Sequence, residues 1–117
     1  MAQPTEQGDQ QAREIGRRQS LFREVNERID ELVEDFDLQD EMLILCECAS
    51  GQCSERIAMT EAEYENLRRV PTHFAVLAGH ERTAVERVVE RNDRYIVVEK
   101  FGESAATAIK LDPRRGT

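Results

Sequence analysis

Three cysteines lie close together near the middle of the chain, at Cys46, Cys48 and Cys53. A short cluster with an odd number of cysteines indicates metal binding or thiol chemistry rather than a disulfide framework. On an extended segment, side chains at positions i and i+2 face the same way, so Cys46 and Cys48 can reach one ion while Glu47 turns away. The loop that contains Gly51 is long enough to bring Cys53 back. The three thiols are therefore predicted to converge.

Tetrahedral zinc commonly takes four cysteine or histidine ligands, so a fourth ligand is needed. The chain contains two histidines, His73 and His80. His80 follows Gly79 in a predicted loop that can bend toward the ion, whereas His73 suits the surface of a strand. We therefore predict a Zn²⁺ site formed by Cys46, Cys48, Cys53 and His80, with His73 as the alternative fourth ligand.

Such a site would carry a net negative charge. N–H donors to the sulfurs, or one of three nearby arginines, are therefore expected beside it. Those arginines are Arg56, Arg82 and Arg87.

Other interpretations of the cysteines remain open. They could be inert and buried, they could exchange disulfides or react with an oxidant, or they could hold a catalytic zinc ion with a bound water. The polar loop at residues 49–52 argues against simple burial. Catalysis lacks a base, because Glu47 is predicted to point away from the ion. The sequence also has no H-E-x-x-H, no H-x-E with a P-C-x-x-C, no Gly-rich phosphate loop and no G-x-S-x-G. We predict no catalytic and no organic cofactor-binding residues, and we favour a protein that is not an enzyme.

A long helix is predicted before the cluster, because apolar residues recur there at steps of three and four. The helix should begin between Gln11 and Ser20 and end near Asp37, with this apolar stripe against the core. The stripe consists of Leu21, Phe22, Val25, Ile29, Leu32, Val33 and Phe36.

The charges of this helix run from basic to acidic. The pattern fits a solvated face, or a surface on which a second copy or another protein packs antiparallel. The basic residues are Arg13, Arg17, Arg18 and Arg23, and the acidic residues are Asp30, Glu31, Glu34 and Asp35.

Short strands are predicted on both sides of the cluster. Residues 42–46 and 56–59 should form an antiparallel hairpin with the cysteines at its tip. Thr60 and Glu63 have the spacing of a capping box, which predicts a helix to about Arg69 that stops before Pro71.

Residues 73–77 then suit a strand. Residues 84–91 fit a helix or a strand, and we favour a hairpin turned at Asn92-Asp93. The fold class is therefore α+β, with a long N-terminal helix packed on a small, mostly antiparallel sheet and a short inserted helix.

The length of 117 residues suits one domain. We predict a disordered tail at residues 1–11, one α+β domain with the zinc site at 12–103, and a weakly ordered segment at 104–117. The net charge of −8 disfavours nucleic acid and anionic membranes as partners. No stretch resembles a signal peptide or a membrane span, so a cytoplasmic protein is expected.

The segment from Leu45 to Lys100 resembles a group of short, uncharacterised bacterial proteins. The shared pattern is a C-E-C…C cluster, a T-x-x-E-Y-E helix start, a P-x-x-F-x-V-x-x-G-H segment and a closing V-V-E-K. This chain has Ala78 where the pattern has proline. The resemblance implies that the three cysteines and His80 belong to one unit, and it implies no activity.

The sequence as a whole predicts a zinc-stabilised, non-catalytic binding or regulatory module. The alternative is a thiol-based redox or sensor protein that uses Cys46, Cys48 and Cys53. A protein partner could bind through the first helix, and the pattern permits a homodimer.

Overall fold

A helix of 32 residues, α1 (Pro4–Asp35), forms the N-terminal part of the structure. The computed structural model of the protein describes residues 4–35, 41–48, 50 and 52–114. The helix begins before the predicted start between Gln11 and Ser20, because proline fits the first turn of a helix and the residues after it tolerate helical geometry. Phe36 and the predicted end near Asp37 lie outside the described residues.

The strands form two antiparallel sheets rather than the one that the sequence predicts. Strands β1 (Glu41–Leu45) and β2 (Arg56–Thr60) pair as a hairpin with Leu45 opposite Arg56. The predicted hairpin with the cysteines at its tip is therefore confirmed. Helix α2 (Glu61–Arg68) follows directly.

The second sheet contains β3 (His73–Val76), β4 (Glu86–Arg91) and β5 (Ile96–Lys100), with β5 in the centre. The β4–β5 hairpin turns at Asn92, whose side-chain oxygen accepts hydrogen bonds from the N–H groups of Arg94 and Tyr95. The strand interpretation of this segment is thus confirmed.

Helix α3 (Gly102–Lys110) ends the regular structure and packs on α1. The elements form the predicted α+β fold. The boundaries at residues 12 and 103 stay a prediction, although α1 already includes Pro4 and α3 extends to Lys110. No helix in the described ranges is long and apolar enough to cross a bilayer.

The core lies between the two sheets and the helices. Its fully buried apolar side chains include Ile44, Ile57, Met59, Tyr64, Phe74, Val76, Ile96 and Val98.

The face of α1 that packs on this core is mainly polar, which corrects the predicted apolar stripe. Of the predicted residues, Val33 is buried, Phe22 and Ile29 are half-buried, and three are exposed, namely Leu21, Val25 and Leu32. The buried side of the helix instead carries Gln19, Ser20, Arg23, Asn26, Glu27 and Asp30. Most of these polar side chains bond to groups outside α1, so their burial is tolerated.

One of these contacts covers part of the free edge of β1. The Asn26 side chain accepts a hydrogen bond from the Leu45 N–H at 2.7 Å and donates one to the Leu45 carbonyl at 2.9 Å. A single amide side chain thus satisfies both backbone groups of Leu45 on the edge of β1 that faces away from β2.

The start of α2 has the predicted capping box. The Thr60 hydroxyl accepts a hydrogen bond from the Glu63 N–H at 3.0 Å, and the Glu63 carboxylate accepts one from the Thr60 N–H at 2.9 Å. The same carboxylate pairs with Arg94, which lowers the pKa of Glu63 to about 2. This carboxylate therefore joins α2 to the β4–β5 turn.

We predict that the Glu63 contacts weaken in acid. A carboxyl whose pKa is lowered by folding stabilises the fold above its unfolded pKa, and that contribution is lost as the pH falls from about 4.5 toward about 2. Glu63→Gln keeps the capping geometry but cannot titrate. At pH 6 the Glu63→Gln variant should melt at a lower temperature than the native chain. This difference should become smaller at pH 3, where the native chain has lost part of the Glu63 contribution. Glu55→Gln, at an exposed position, is the control, and a Glu63→Gln deficit that stays constant with pH would contradict the prediction.

Candidate metal site

The cysteine cluster lies at the end of the β1–β2 hairpin. The hairpin continues one step beyond β1, since the Cys46 N–H donates to the Glu55 carbonyl at 3.0 Å. The loop then turns so that the Cys53 N–H donates to the Ser50 carbonyl at 3.3 Å. This turn brings Cys53 back toward the other two cysteines.

His80 reaches the cluster from the loop after β3. The His80 N–H donates to the Leu77 carbonyl at 2.9 Å, which closes a tight turn. Gly79 in this turn has a φ of 91°, a backbone conformation that L side chains rarely adopt. The turn therefore forms with Ala78 in place of proline, and it aims the imidazole at the thiols.

Four ligand atoms meet at this point. The three Sγ atoms and one imidazole nitrogen of His80 all lie within 4.8 Å of one another, and the residues are Cys46, Cys48, Cys53 and His80. They lie close enough to hold a metal ion.

The individual distances fit a tetrahedral ion. His80 Nδ1 lies 3.7 Å from Cys46 Sγ and 3.6 Å from Cys53 Sγ. Sulfur and nitrogen ligands about 2.3 Å and about 2.0 Å from a tetrahedral zinc ion are separated by roughly 3.5 Å. These two distances thus match those expected for an imidazole and thiolates on one tetrahedral ion.

The thiols differ in exposure. Cys46 and Cys48 are buried, whereas Cys53 and His80 are half-buried. Burial raises the pKa of Cys46 to about 12 and also raises the pKa of Cys48, with smaller contributions from the neighbouring thiols. Thiolates at these positions therefore need a compensating positive charge, which a metal ion supplies.

Backbone N–H groups donate to two of the three sulfurs, those of Cys46 and Cys48, as expected for a negatively charged site. The Leu77 N–H donates to Cys46 Sγ at 3.4 Å. The three arginines considered for this role lie elsewhere or at the rim: Arg87 pairs with Glu99, Arg56 is exposed, and Arg82 lines the adjoining cavity.

That cavity opens beside the half-buried side of the cluster. It measures about 610 Å³, and Cys48, Cys53, His80 and Glu81 are among its lining residues. Two of the four candidate ligands, Cys53 and His80, are therefore reached by solvent from this cavity.

Glu47, between two candidate ligands, points away from the thiols as predicted and is completely buried. Its carboxylate accepts hydrogen bonds from Asn26 Nδ2 at 3.1 Å and from the Ala75 N–H at 3.0 Å. Its backbone N–H donates to the Ala75 carbonyl at 2.9 Å. The residue thus ties the cysteine segment to β3 of the second sheet.

The charge of Glu47 is balanced by Arg23 of α1. Arg23 Nε and one terminal nitrogen donate to the two carboxylate oxygens at 2.8 Å and 2.9 Å, which is a bidentate pair. The guanidinium also lies 4.0 Å from the centre of the Phe74 ring. Burial disfavours the charge of Arg23, but Glu47 outweighs this effect and the pKa of Arg23 is raised.

A second buried pair continues this network. Lys100 donates to Glu86, and both side chains are fully buried. Gln19 joins the two pairs, because its amide nitrogen donates to the Glu47 carbonyl at 3.0 Å and to the Glu86 carboxylate at 3.3 Å. Three consecutive turns of α1 therefore hold the segment that carries Cys46 and Cys48.

His73, the alternative fourth ligand, lies on β3 with Nε2 3.2 Å from the Glu99 carboxylate. The structure brings His80, and not His73, to the thiols. No known family model, curated protein or solved structure matches the chain. The resemblance to short bacterial proteins stays a prediction, and the site must be interpreted from its own chemistry.

Sequence reasoning missed the buried network behind the site. Its members on α1 do carry a signal, since Gln19, Arg23 and Asn26 follow each other at steps of four and three on one helix face. A polar stripe of this kind, which repeats with the helical period, marks a face that needs polar partners.

We predict that the Arg23–Glu47 pair is essential for stability. Arg23→Met leaves the Glu47 charge buried without its counterion, which should lower the free energy of unfolding by about 3–5 kcal/mol. The double variant Arg23→Met/Glu47→Gln should lose less than the sum of the two single variants, because they share one interaction. Denaturant unfolding with zinc present measures all three.

Arg17→Met is the matched control, because Arg17 is exposed on the same helix. It should change stability by less than about 0.5 kcal/mol. An Arg23→Met variant as stable as this control would contradict the prediction.

Proposed function

We propose that this protein is a zinc-stabilised, non-catalytic binding or regulatory module. The observation that carries the proposal is the convergence of four ligand atoms within 4.8 Å, contributed by Cys46, Cys48, Cys53 and His80. Three thiolates and one imidazole form a complete tetrahedral set, which is typical of structural zinc sites.

The position of the ligands in the chain supports a structural role for the ion. Cys46 and Cys53 belong to the hairpin of the first sheet, and His80 belongs to the loop that leaves β3 of the second sheet. An ion bound by all of them would join the two sheets. Since such a site exists only in the folded chain, the free energy of metal binding becomes free energy of folding.

A catalytic zinc ion is less well supported. Catalytic sites usually use three protein ligands and leave the fourth position for water. Here a fourth protein ligand is in place, and the carboxylate between two of the cysteines, that of Glu47, is engaged with Arg23 away from the thiols.

The redox alternative is also less well supported by the geometry. Reactive cysteines are exposed and lie near positive charges, whereas Cys46 and Cys48 are each only 2% exposed. The alternative makes a distinct prediction, namely metal-free protein whose thiols oxidise and recover reversibly.

We further propose a cytoplasmic location and a bacterial origin. A reducing compartment keeps clustered thiols available to a metal ion. Bacterial origin rests on the sequence resemblance alone.

We predict that the purified chain binds about one zinc ion and depends on it. Elemental analysis should give this stoichiometry, and a strong chelator should unfold the protein. The expected loss is on the order of 10 kcal/mol, which is comparable with the whole stability of a small domain. X-ray absorption should find three sulfur ligands and one nitrogen ligand.

The two histidines provide a matched pair of variants. His80→Ala should lower zinc affinity by at least about tenfold, because it removes a ligand, while His73→Ala should leave zinc affinity unchanged. Protein that purifies without metal and melts at the same temperature with chelator present would refute the proposal. An exchangeable water on the ion would indicate a catalytic site instead.

A further inference from the structure

The three cysteines of the metal site differ in how far solvent reaches them. Cys46 and Cys48 are buried, whereas Cys53 is half-buried and lines the cavity of about 610 Å³ beside the site. Cys48 adjoins the same cavity, and Cys46 is not among its lining residues. A small molecule in the cavity therefore reaches Cys53 more readily than the other two cysteines.

The wall of this cavity is largely polar. Its lining residues include Ser50, Gln52, Ser54, Glu81 and Arg82. Hydroxyl, amide and charged groups favour water and small molecules that donate and accept hydrogen bonds. Hydrogen peroxide belongs to this class, so the cavity gives it a path to the half-buried side of the site.

A second thiol lies beside Cys53. The Cys48 and Cys53 side chains are within hydrogen-bonding distance of each other, and all the ligand atoms lie within 4.8 Å of one another. The sulfurs of a disulfide are about 2.0 Å apart, so the two sulfur atoms need to approach by less than about 3 Å. Cys48 and Cys53 are four residues apart in the chain, and a bond between them stays within the hairpin loop.

A disulfide and a zinc ion make different connections here. Cys48 and Cys53 both belong to the loop between β1 and β2, whereas the ion also binds His80 from the loop after β3. Oxidation thus replaces a link between the two sheets by a link inside one loop. Only Cys46 and His80 then remain as ligands, and two ligands do not complete the tetrahedral set.

We propose that the zinc site is a redox switch, in which hydrogen peroxide oxidises Cys53 and Cys48 to a disulfide and the ion is released. The inference deepens the proposed function and rests on it, because the reduced chain must hold zinc. It differs from the thiol-based redox alternative, which predicts metal-free protein in both states.

The oxidation takes two steps. A thiol that binds a metal ion is deprotonated, and the thiolate is the nucleophilic form. The Cys53 thiolate attacks one oxygen of the peroxide, the O–O bond breaks, and a sulfenic acid and a hydroxide ion form. The Cys48 thiolate then attacks the Cys53 sulfur, an S–S bond forms, and a second hydroxide leaves. Two electrons pass from the two sulfurs to one peroxide molecule, and both hydroxides take protons from solvent.

The first experiment adds hydrogen peroxide to the full, reduced, zinc-loaded chain and follows zinc release with a chromogenic indicator. About one zinc ion should be released per peroxide consumed, and the mass of the denatured chain should fall by two hydrogen atoms, as disulfide formation requires. Peptide mapping should find the bond between Cys48 and Cys53. The melting temperature should fall, because metal binding no longer contributes to folding. A dithiol reductant with added zinc should restore it.

A trapping reagent identifies the thiol that reacts first. A 1,3-dione that labels sulfenic acids, present during oxidation, should label Cys53. A chain that keeps its zinc in excess peroxide, zinc release without a disulfide, or a label on Cys46 or Cys48 in place of Cys53 would overturn the proposal.

The second experiment removes the accessible thiol and keeps a ligand in its place. Two cysteines and two histidines also form structural zinc sites, so Cys53→His should retain zinc. Under peroxide it should release the ion at least about tenfold more slowly than the native chain, because the remaining thiols are buried. If the variant fails to bind zinc, the labelling of the native chain decides.

Ser54→Ala is the matched control, because Ser54 is exposed, adjoins Cys53 and lines the same cavity. It should release zinc at the native rate. A Cys53→His variant with normal zinc content that releases the ion as fast as this control would contradict the role of Cys53.

Failure of the switch and failure of the zinc site are distinguishable. Zinc-loaded protein that resists peroxide would refute the switch and leave the zinc site. Reduced protein that contains no zinc and takes up none would refute the site itself, and the switch with it.

Discussion

The Glu47 carboxylate is removed from water, and its negative charge must be balanced inside the protein. Transfer of such a group to the interior costs several kcal/mol unless a partner and full hydrogen bonding offset it. Arg23, Asn26 and the Ala75 N–H supply these contacts. Because Glu47 alternates with Cys46 and Cys48 along an extended segment, fixing its carboxylate on one side directs both sulfurs to the other. The ion pair therefore determines where the candidate ligands point.

This constraint explains the unusual construction of α1. The helix holds the segment at residues 45–47 through directional bonds from Gln19, Arg23 and Asn26, which require polar residues on its buried face. The aliphatic residues of the helix are then left for the outside. Directional contacts admit one register between helix and loop, whereas a purely apolar contact tolerates sliding. A metal site whose ligands must lie within a few tenths of an ångström of their ideal positions depends on such a register.

The local features of the fold could be predicted from the sequence, because they depend on neighbouring residues. The cysteine hairpin, the Thr60–Glu63 capping box and the turn at Asn92 are examples. The grouping of His80 with the thiols was also accessible, since two histidines offered few choices and Gly79 marked a turn.

Features that depend on distant partners were not accessible. The period of Leu21, Val25 and Leu32 reveals an apolar helix face, but periodicity does not distinguish a face in the core from one left to solvent. The partner of Glu47 is 24 positions away in the chain, and no local pattern specifies it. The division of the strands into two sheets has the same origin, because strand order depends on long-range pairing.

The Asn26 contact with Leu45 also bears on how the protein avoids misassembly. Exposed strand edges can recruit a strand from another molecule and start amyloid-like growth or domain swapping. The Asn26 side chain of α1 occupies both the N–H and the carbonyl of Leu45. An incoming strand therefore has no free backbone group to pair with at that residue. The same amide that positions the helix thus closes this end of the β1 edge to a pairing strand.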